Sequence, residues 1–183
     1  MSLVPKIGIT GIPQIGKTEG LLKIIRRLEG QYTFGGMITR AVEENDRRVG
    51  FKMIDWMTGE ERLLAHVDLD TSYRVGKYNV DIKALEEFGL PAIRKAMESD
   101  EVDIVVIDEV GKMELESRKF REMVKEVLES DKPVLLTLHK KSRDSLLQDI
   151  RNMNNVRIFE ITKVNRNLLP YKIEKILKEE WHP

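Results

Sequence analysis

The sequence predicts an α/β fold of three layers, in which a mostly parallel central sheet with some antiparallel strands is covered by helices on both faces. Three observations lead to it. Short apolar runs such as Ile104–Ile107 and Val134–Leu136 carry no polar alternation, so they read as strands buried on both sides. Longer stretches between them place apolar residues at helical spacing. The two kinds of segment follow one another as strand, helix, strand, helix, the order that crossover helices impose on parallel strands.

Taken along the chain, Lys6 to Thr10 is the first buried strand, ended by Gly11. Leu21, Leu22, Ile24, Ile25 and Leu28 then form one helical face up to Gly30. Gly36 to Arg40 and Arg48 to Trp56 read as two further strands, with Thr58-Gly59 turning into Glu61 to His66. Residues 36–80 therefore read as a strand-rich insertion on the same sheet, rejoined near Tyr78 to Asp81. Helical sequence follows from Ile82 to Met97, and Asp103 to Asp108 is a strand rich in β-branched residues. Phe120, Met123, Val124, Val127 and Leu128 fall on one helix face; Met113 and Met123 read as packing residues. Pro133 to Leu138 is a strand, Ser142 to Asn152 a helix, and Val156 to Ile161 a strand. Leu168, Leu169, Ile173, Ile176 and Leu177 mark the final helix. With no repeat, linker or low-complexity tract, residues 1–183 read as one domain.

Composition narrows the possible partners. Lysine plus arginine equals aspartate plus glutamate, 31 against 31, so no basic excess points to general nucleic-acid binding. The absence of cysteine excludes disulfides and thiolate metal sites. The apolar runs are too short to cross a bilayer, and Lys6-Ile7-Gly8-Ile9 follows the N-terminus without a secretion leader, so a cytoplasmic location is expected.

Gly11-Ile12-Pro13-Gln14-Ile15-Gly16-Lys17-Thr18 matches G-x-x-x-x-G-K-[ST] in full. In such a P-loop the glycines let consecutive N–H groups curl around phosphate oxygens, and the following helix adds its positive end. Lys17 reaches the β- and γ-phosphates of a nucleoside triphosphate, and the Thr18 hydroxyl is a ligand for magnesium. Two positions are unusual. Gln14 stands where many such loops carry glycine, so its backbone either avoids a positive φ or accepts about 1–2 kcal/mol of strain. Glu19 follows Thr18, where its carboxylate either repels the α-phosphate or points outward along the helix dipole.

A second acidic site follows. Ile104-Val105-Val106-Ile107-Asp108-Glu109 is an apolar strand ending in two carboxylates. The carboxyl ends of parallel strands lie beside the phosphate loop, so Asp108 is expected at the magnesium. Glu109 is then placed to orient and deprotonate an attacking water.

These motifs, with Arg48-Val49-Gly50-Phe51, the run Val75 to Asp81, Asp108-Glu109-Val110-Gly111-Lys112-Met113-Glu114-Leu115 and Thr162 to Asn167, resemble the THEP-type nucleoside-triphosphatases, a family named for its thermophilic members. The resemblance covers nearly the whole chain and is most specific from Asp108 to Leu115. It implies a P-loop fold of the RecA-like branch and magnesium-dependent hydrolysis of several nucleoside triphosphates to diphosphates. Gln14 and Glu19 depart from the family pattern beside the phosphates.

The candidate catalytic residues are thus Lys17 and Glu109. Gly11, Ile12, Pro13, Gln14, Ile15, Gly16, Lys17, Thr18 and Arg166 are the nucleotide-binding candidates, with Thr18 and Asp108 as the magnesium ligands. Arg166 could stack on the base, although Asn165 beside it could equally cap the last helix. Lys112 and Glu114 could contact a phosphate or hold one another. Thr137 and His139 end the strand after the acidic pair, where RecA-like proteins often carry a group that senses the γ-phosphate. Arg47, Arg48 and Arg118 are candidates for an arginine that stabilises transition-state charge, set against a solvated surface. His66 and His182 have no neighbours suggesting a metal site. Hydrolysis leads as the expected activity. A small-molecule or nucleotide kinase comes second, with no arginine-rich lid to favour it, and a non-catalytic nucleotide switch third.

Overall fold

The computed structural model describes residues 4–140 and 143–181. The first strand, β1 (Lys6–Gly11), leads into α1 (Lys17–Leu28). A run of strands follows: β2 (Phe34–Glu44), β3 (Arg47–Asp55), β4 (Glu61–His66), β5 (Tyr73–Val75) and β6 (Tyr78–Val80). A helical stretch comprises α2 (Ile82–Ala84), a π-helical turn (Leu85–Gly89) and α3 (Leu90–Glu98). The chain then alternates through β7 (Ile104–Val110), α4 (Arg118–Glu129), β8 (Val134–His139), α5 (Ser145–Asn152), β9 (Val156–Glu160) and α6 (Leu169–Glu180).

The nine strands among the described residues form one sheet in the order β5-β6-β4-β3-β2-β7-β8-β1-β9. From β2 to β9 the pairing is parallel, and from β2 outward to β5 it is antiparallel. Strand β2 joins the two halves. Its contact with β7 depends on Gly36, at φ 128°, where a Cβ would stand 2.0 Å from the Val106 carbonyl oxygen.

Alternation along the central strands sorts their side chains into two cores. Ile104 and Val106 of β7 pack with Leu21, Ile25 and Ile173 of α1 and α6, whereas Val105 and Ile107 pack with Ile93, Phe120 and Ile150 of α3, α4 and α5. Each such fully buried side chain contributes about 1.5–3 kcal/mol of transfer free energy.

Several boundaries differ from the sequence expectation. The strands expected at 36–40 and 48–56 extend into a long hairpin, closed by Asn45 and Asp46 at φ 51° and 61°, a two-residue turn that needs no glycine. The hairpin of β5 and β6 was not expected, and the helix foreseen from Ile82 is interrupted by the π-helical turn. Helix α5 begins at Ser145, with Asp144 accepting a hydrogen bond from the Leu146 N–H; the expected start at Ser142 lies outside the described residues. Helix α6 begins at Leu169 after a turn, so Asn165 and Arg166 precede it.

At the start of β1, Lys6 is buried and closes the end of α4 and the turn after it. Its ammonium donates to the carbonyls of Ser130 and Lys132, both at 2.6 Å, and to that of Val127 at 3.4 Å. Burial lowers its pKa to about 8, against the opposing charge of Asp131.

Candidate active site

The parallel strands β1, β7 and β8 end together at one mouth of the sheet, and the phosphate loop spans it. Gly16 precedes α1 with φ 110°, a conformation glycine adopts without penalty. No side chain caps α1, nor α3 or α6, whereas Asp81, Ser117 and Asp144 cap α2, α4 and α5. The first-turn N–H groups of α1 therefore face an anionic ligand without competition from a capping side chain. Gln14 takes the strained alternative, φ 64°, at a cost of about 1–2 kcal/mol. Ile15 is buried and anchors the loop, while Ile12, Pro13 and Gln14 are exposed.

The acidic pair is placed by an irregularity in the sheet. Ile107 pairs with Leu136 and Val110 with Leu138, so Asp108 and Glu109 together oppose the single residue Thr137. Such a bulge re-aims side chains. Ile107 and Val110 both pack into the same core, which strict alternation over three residues forbids. The strand thus runs on past Asp108, where the sequence reading ended it; the peptide bond between Asp108 and Glu109 is cis.

Asp108 is buried and fully engaged. Its Oδ2 accepts from the Thr18 hydroxyl at 2.8 Å and its Oδ1 from the Thr137 hydroxyl at 2.6 Å. Burial raises its pKa to about 6; the Thr137 hydrogen bond opposes this, the charge of Glu109 adds to it, and Thr18 and the backbone at Thr39 oppose it again. The Lys17 ammonium lies 2.6 Å from Glu109 Oε2 and donates to the Gly11 carbonyl at 3.2 Å. Lys17, Thr18, Asp108 and Glu109 thus meet at one place.

The other candidates separate. Thr137 is fully buried and donates to Asp108, which it orients. His139 sits nearer the mouth: its Nδ1 is buried and makes no hydrogen bond among the described residues, and burial holds its pKa below the ordinary value, with Glu109 opposing. Glu114 is buried and accepts from the Gly111 N–H at 3.1 Å, and burial pushes its pKa well up, reinforced by Glu109. Among the described residues no ion pair joins it to Lys112, which is exposed and whose carbonyl accepts from the Tyr73 hydroxyl at 2.8 Å. Asn165 ties its own turn together, accepting from Thr162 N–H at 2.7 Å and donating to the Glu160 carbonyl at 2.8 Å; it does not cap α6. Arg166 is exposed in that turn, which the Ile161 N–H fastens to the Thr10 carbonyl beside the phosphate loop.

Arg48 lies over the Phe51 ring, Arg47 stands at the hairpin tip, and Arg118 pairs with Glu122 along α4. None of these contacts involves a site residue. His66 accepts from the Asp68 N–H at 3.0 Å, a turn contact, and His182 lies outside the described residues. Sequence reasoning missed Arg40. This residue of β2 reaches Glu19, with guanidinium and carboxylate 3.4 Å apart, so the charge of Glu19 is met by a cation.

Among the described residues no three His, Asp or Glu side chains gather as a metal cage. A hydroxyl and a buried carboxylate oxygen 2.8 Å apart are the donors magnesium takes beside a triphosphate, since it prefers oxygen ligands and keeps several waters. The residues present fit that ion. No described helix is long and apolar enough to cross a membrane.

Comparison with known proteins gives the family and the fold. A nucleoside-triphosphatase THEP1 of Thermotoga maritima is 46% identical over 173 residues, which cover 94% of this chain and 95% of the relative. That of Picrophilus torridus is 35% identical over 177 residues, covering 96% and 97%. The crystal structure of THEP1 from Aquifex aeolicus superimposes with a TM-score of 0.82 at 31% identity, covering 94% of this chain and 99% of that one. The solution structure of a human cancer-related nucleoside triphosphatase gives 0.83 at 31% identity, covering 98% and 100%. A family model described as NTPase matches residues 6–174, and on these grounds the chain belongs to the NTPase family of P-loop proteins that includes the THEP1 nucleoside-triphosphatases.

Proposed function

We propose that the chain hydrolyses nucleoside triphosphates to diphosphate and phosphate with magnesium at this mouth, and that Glu109 activates the water. The contact that carries this reading is Lys17 to Glu109 at 2.6 Å, which puts the phosphate-binding cation and the candidate base side by side. An arriving triphosphate offers Lys17 several anionic oxygens in place of one carboxylate. As Lys17 moves to the β- and γ-phosphates, the Glu109 carboxylate is released to accept a proton.

The water oxygen bonds to the γ-phosphorus as the bond to the β–γ bridging oxygen breaks. Its electron pair leaves with the diphosphate, and the water proton passes to Glu109. Lys17 and the N–H groups of Gln14, Gly16, Lys17 and Thr18 neutralise the charge that develops on the phosphate oxygens. Thr18 and Asp108 would hold magnesium, which would supply positive charge against the triphosphate. Thr137 keeps the Asp108 carboxylate turned toward Thr18. Arg166, in the turn fastened to Thr10, is the candidate contact for the base.

Phosphate release from ATP, GTP, CTP and UTP, with and without magnesium, tests the reading. Glu109→Gln is expected to lose at least about a hundredfold in release while still binding nucleotide. Unchanged release in that variant would remove Glu109 from the chemistry. Tight binding without release by the wild type would remove hydrolysis itself.

A further inference from the structure

We infer that Arg40 serves two partners in turn, holding Glu19 when the site is free and contacting the terminal phosphate when a nucleoside triphosphate is bound. This rests on the hydrolase reading above and supplies the arginine that Arg47, Arg48 and Arg118 do not.

Placement is the first argument. Strand β2 runs parallel to β7, and the last paired residues are Met37 and Ile107. Arg40 therefore lies past the level of the strand pairing, at the end of the sheet where Asp108 and Glu109 emerge. Its strand neighbour Ile38 packs in the core that contains α1, and residue 40, two positions on, faces the same side. The side chain crosses to the first turn of α1, where Glu19 follows directly on Thr18.

The second argument is energetic. Arg40 and Glu19 are 39% and 65% exposed, and an ion pair of that kind has a weak hold on either member. A phosphate group gives a guanidinium two parallel charge-assisted hydrogen bonds, a stronger and better-directed partner. Glu19 also has a use in this exchange. It keeps a long cationic side chain at the mouth, where that side chain would otherwise sample many rotamers in solvent. The triphosphate then draws Arg40 from a nearby starting point.

A simpler role, in which Arg40 only cancels the charge of Glu19, predicts something different, and a double-mutant cycle separates the two. Affinity is measured for a non-hydrolysable triphosphate analogue and for the diphosphate, with magnesium, in wild type, Arg40→Ala, Glu19→Gln and the double variant. We expect Arg40→Ala to weaken the triphosphate analogue about tenfold and leave the diphosphate within about twofold. A larger loss is expected in the Glu19→Gln background, where no ion pair competes for Arg40, and Glu19→Gln alone is expected to tighten triphosphate binding. The kcat for phosphate release should fall by about a hundredfold or more in Arg40→Ala and recover in part in Arg40→Lys. A loss that vanishes in the double variant would overturn the proposal in favour of charge cancellation. Equal losses for both nucleotides, or none, would also overturn it. A wild type that binds neither nucleotide removes the hydrolase reading along with this one, whereas normal wild-type turnover beside an unaffected Arg40→Ala removes this one alone. Circular dichroism melting curves matching the wild type show that the variants are folded.

Discussion

A lysine lies at the start of β1 and another beyond its end, the first buried and the second partly so, and the two side chains have opposite uses. Lys6, at the start of the strand, gives its ammonium to three backbone carbonyls around the end of α4. Lys17, beyond the other end, has one carbonyl and the carboxylate of Glu109. Carbonyls at a helix end are fixed, and no ligand can take their place without unfolding the turn. A carboxylate on a strand end can be left for a phosphate. Burial alone does not tell a structural cation from a functional one; the exchangeability of its partners does.

The largest effect that would test this contrast is loss of the exchangeable cation. Lys17→Met is expected to cut phosphate release about a thousandfold with little change in thermal stability, measured by steady-state release and calorimetry. A large drop in melting temperature would instead make Lys17 a second structural lysine. Thr137→Val removes the hydroxyl that donates to Asp108 and should raise the magnesium concentration for half-maximal activity about ten- to a hundredfold. An unshifted magnesium titration would mean Asp108 needs no such support.

Lys6→Met should behave inversely to Lys17→Met, costing about 2 kcal/mol of stability and leaving kcat per folded molecule unchanged. Its pH dependence sharpens the point. The folded state holds Lys6 at about 8, below the ordinary 10.5, so between those values the unfolded chain binds more protons. Stability from this group therefore rises from about pH 8 to 10.5, and urea unfolding of Lys6→Met should lack that rise. The smallest effect concerns Glu114, whose pKa burial has raised. A carboxyl with a raised folded pKa loses stability as pH climbs above its unfolded value of 4.5. Glu114→Gln keeps an acceptor for the Gly111 N–H and should be the more stable protein at neutral pH, with the difference gone below about pH 4. A less stable variant would mean that the charge of Glu114 is itself held by a cation.

Much of this arrangement was legible because its signals are local. The loop from Gly11 to Thr18 is contiguous, the strands that flank it are unbroken apolar runs, and Asp108 follows directly on one of them. What was hidden depends on distant partners. Nothing in the run Glu109 to Ser117 is periodic, so the burial of Glu114 beside Glu109 could not be read. Arg40 lies in a strand beyond Gly36-Met37-Ile38-Thr39, where a charged residue ordinarily signals a solvated edge. Only α1, brought alongside by the fold, gives it a partner in Glu19. The β5–β6 hairpin escaped because three-residue strands are too short to show a period, although Gly76 at φ 58° marks its turn. Thr137 was singled out by its place at the strand end, but its partner was hidden, since the bulge that sets it against Asp108 exists only in the pairing of β7 with β8.

The position of β1 in the sheet bears on how the molecule is made. It lies between β8, which starts at residue 134, and β9, which starts at residue 156. During synthesis β1 must wait until the chain has reached β8 and β9 before either neighbour exists, and pairings so distant in sequence are slow to close. The nucleotide-binding loop is accordingly among the last parts to be completed. Nucleotide in the cell can stabilise the finished protein by mass action, but it offers no foothold to a nascent chain.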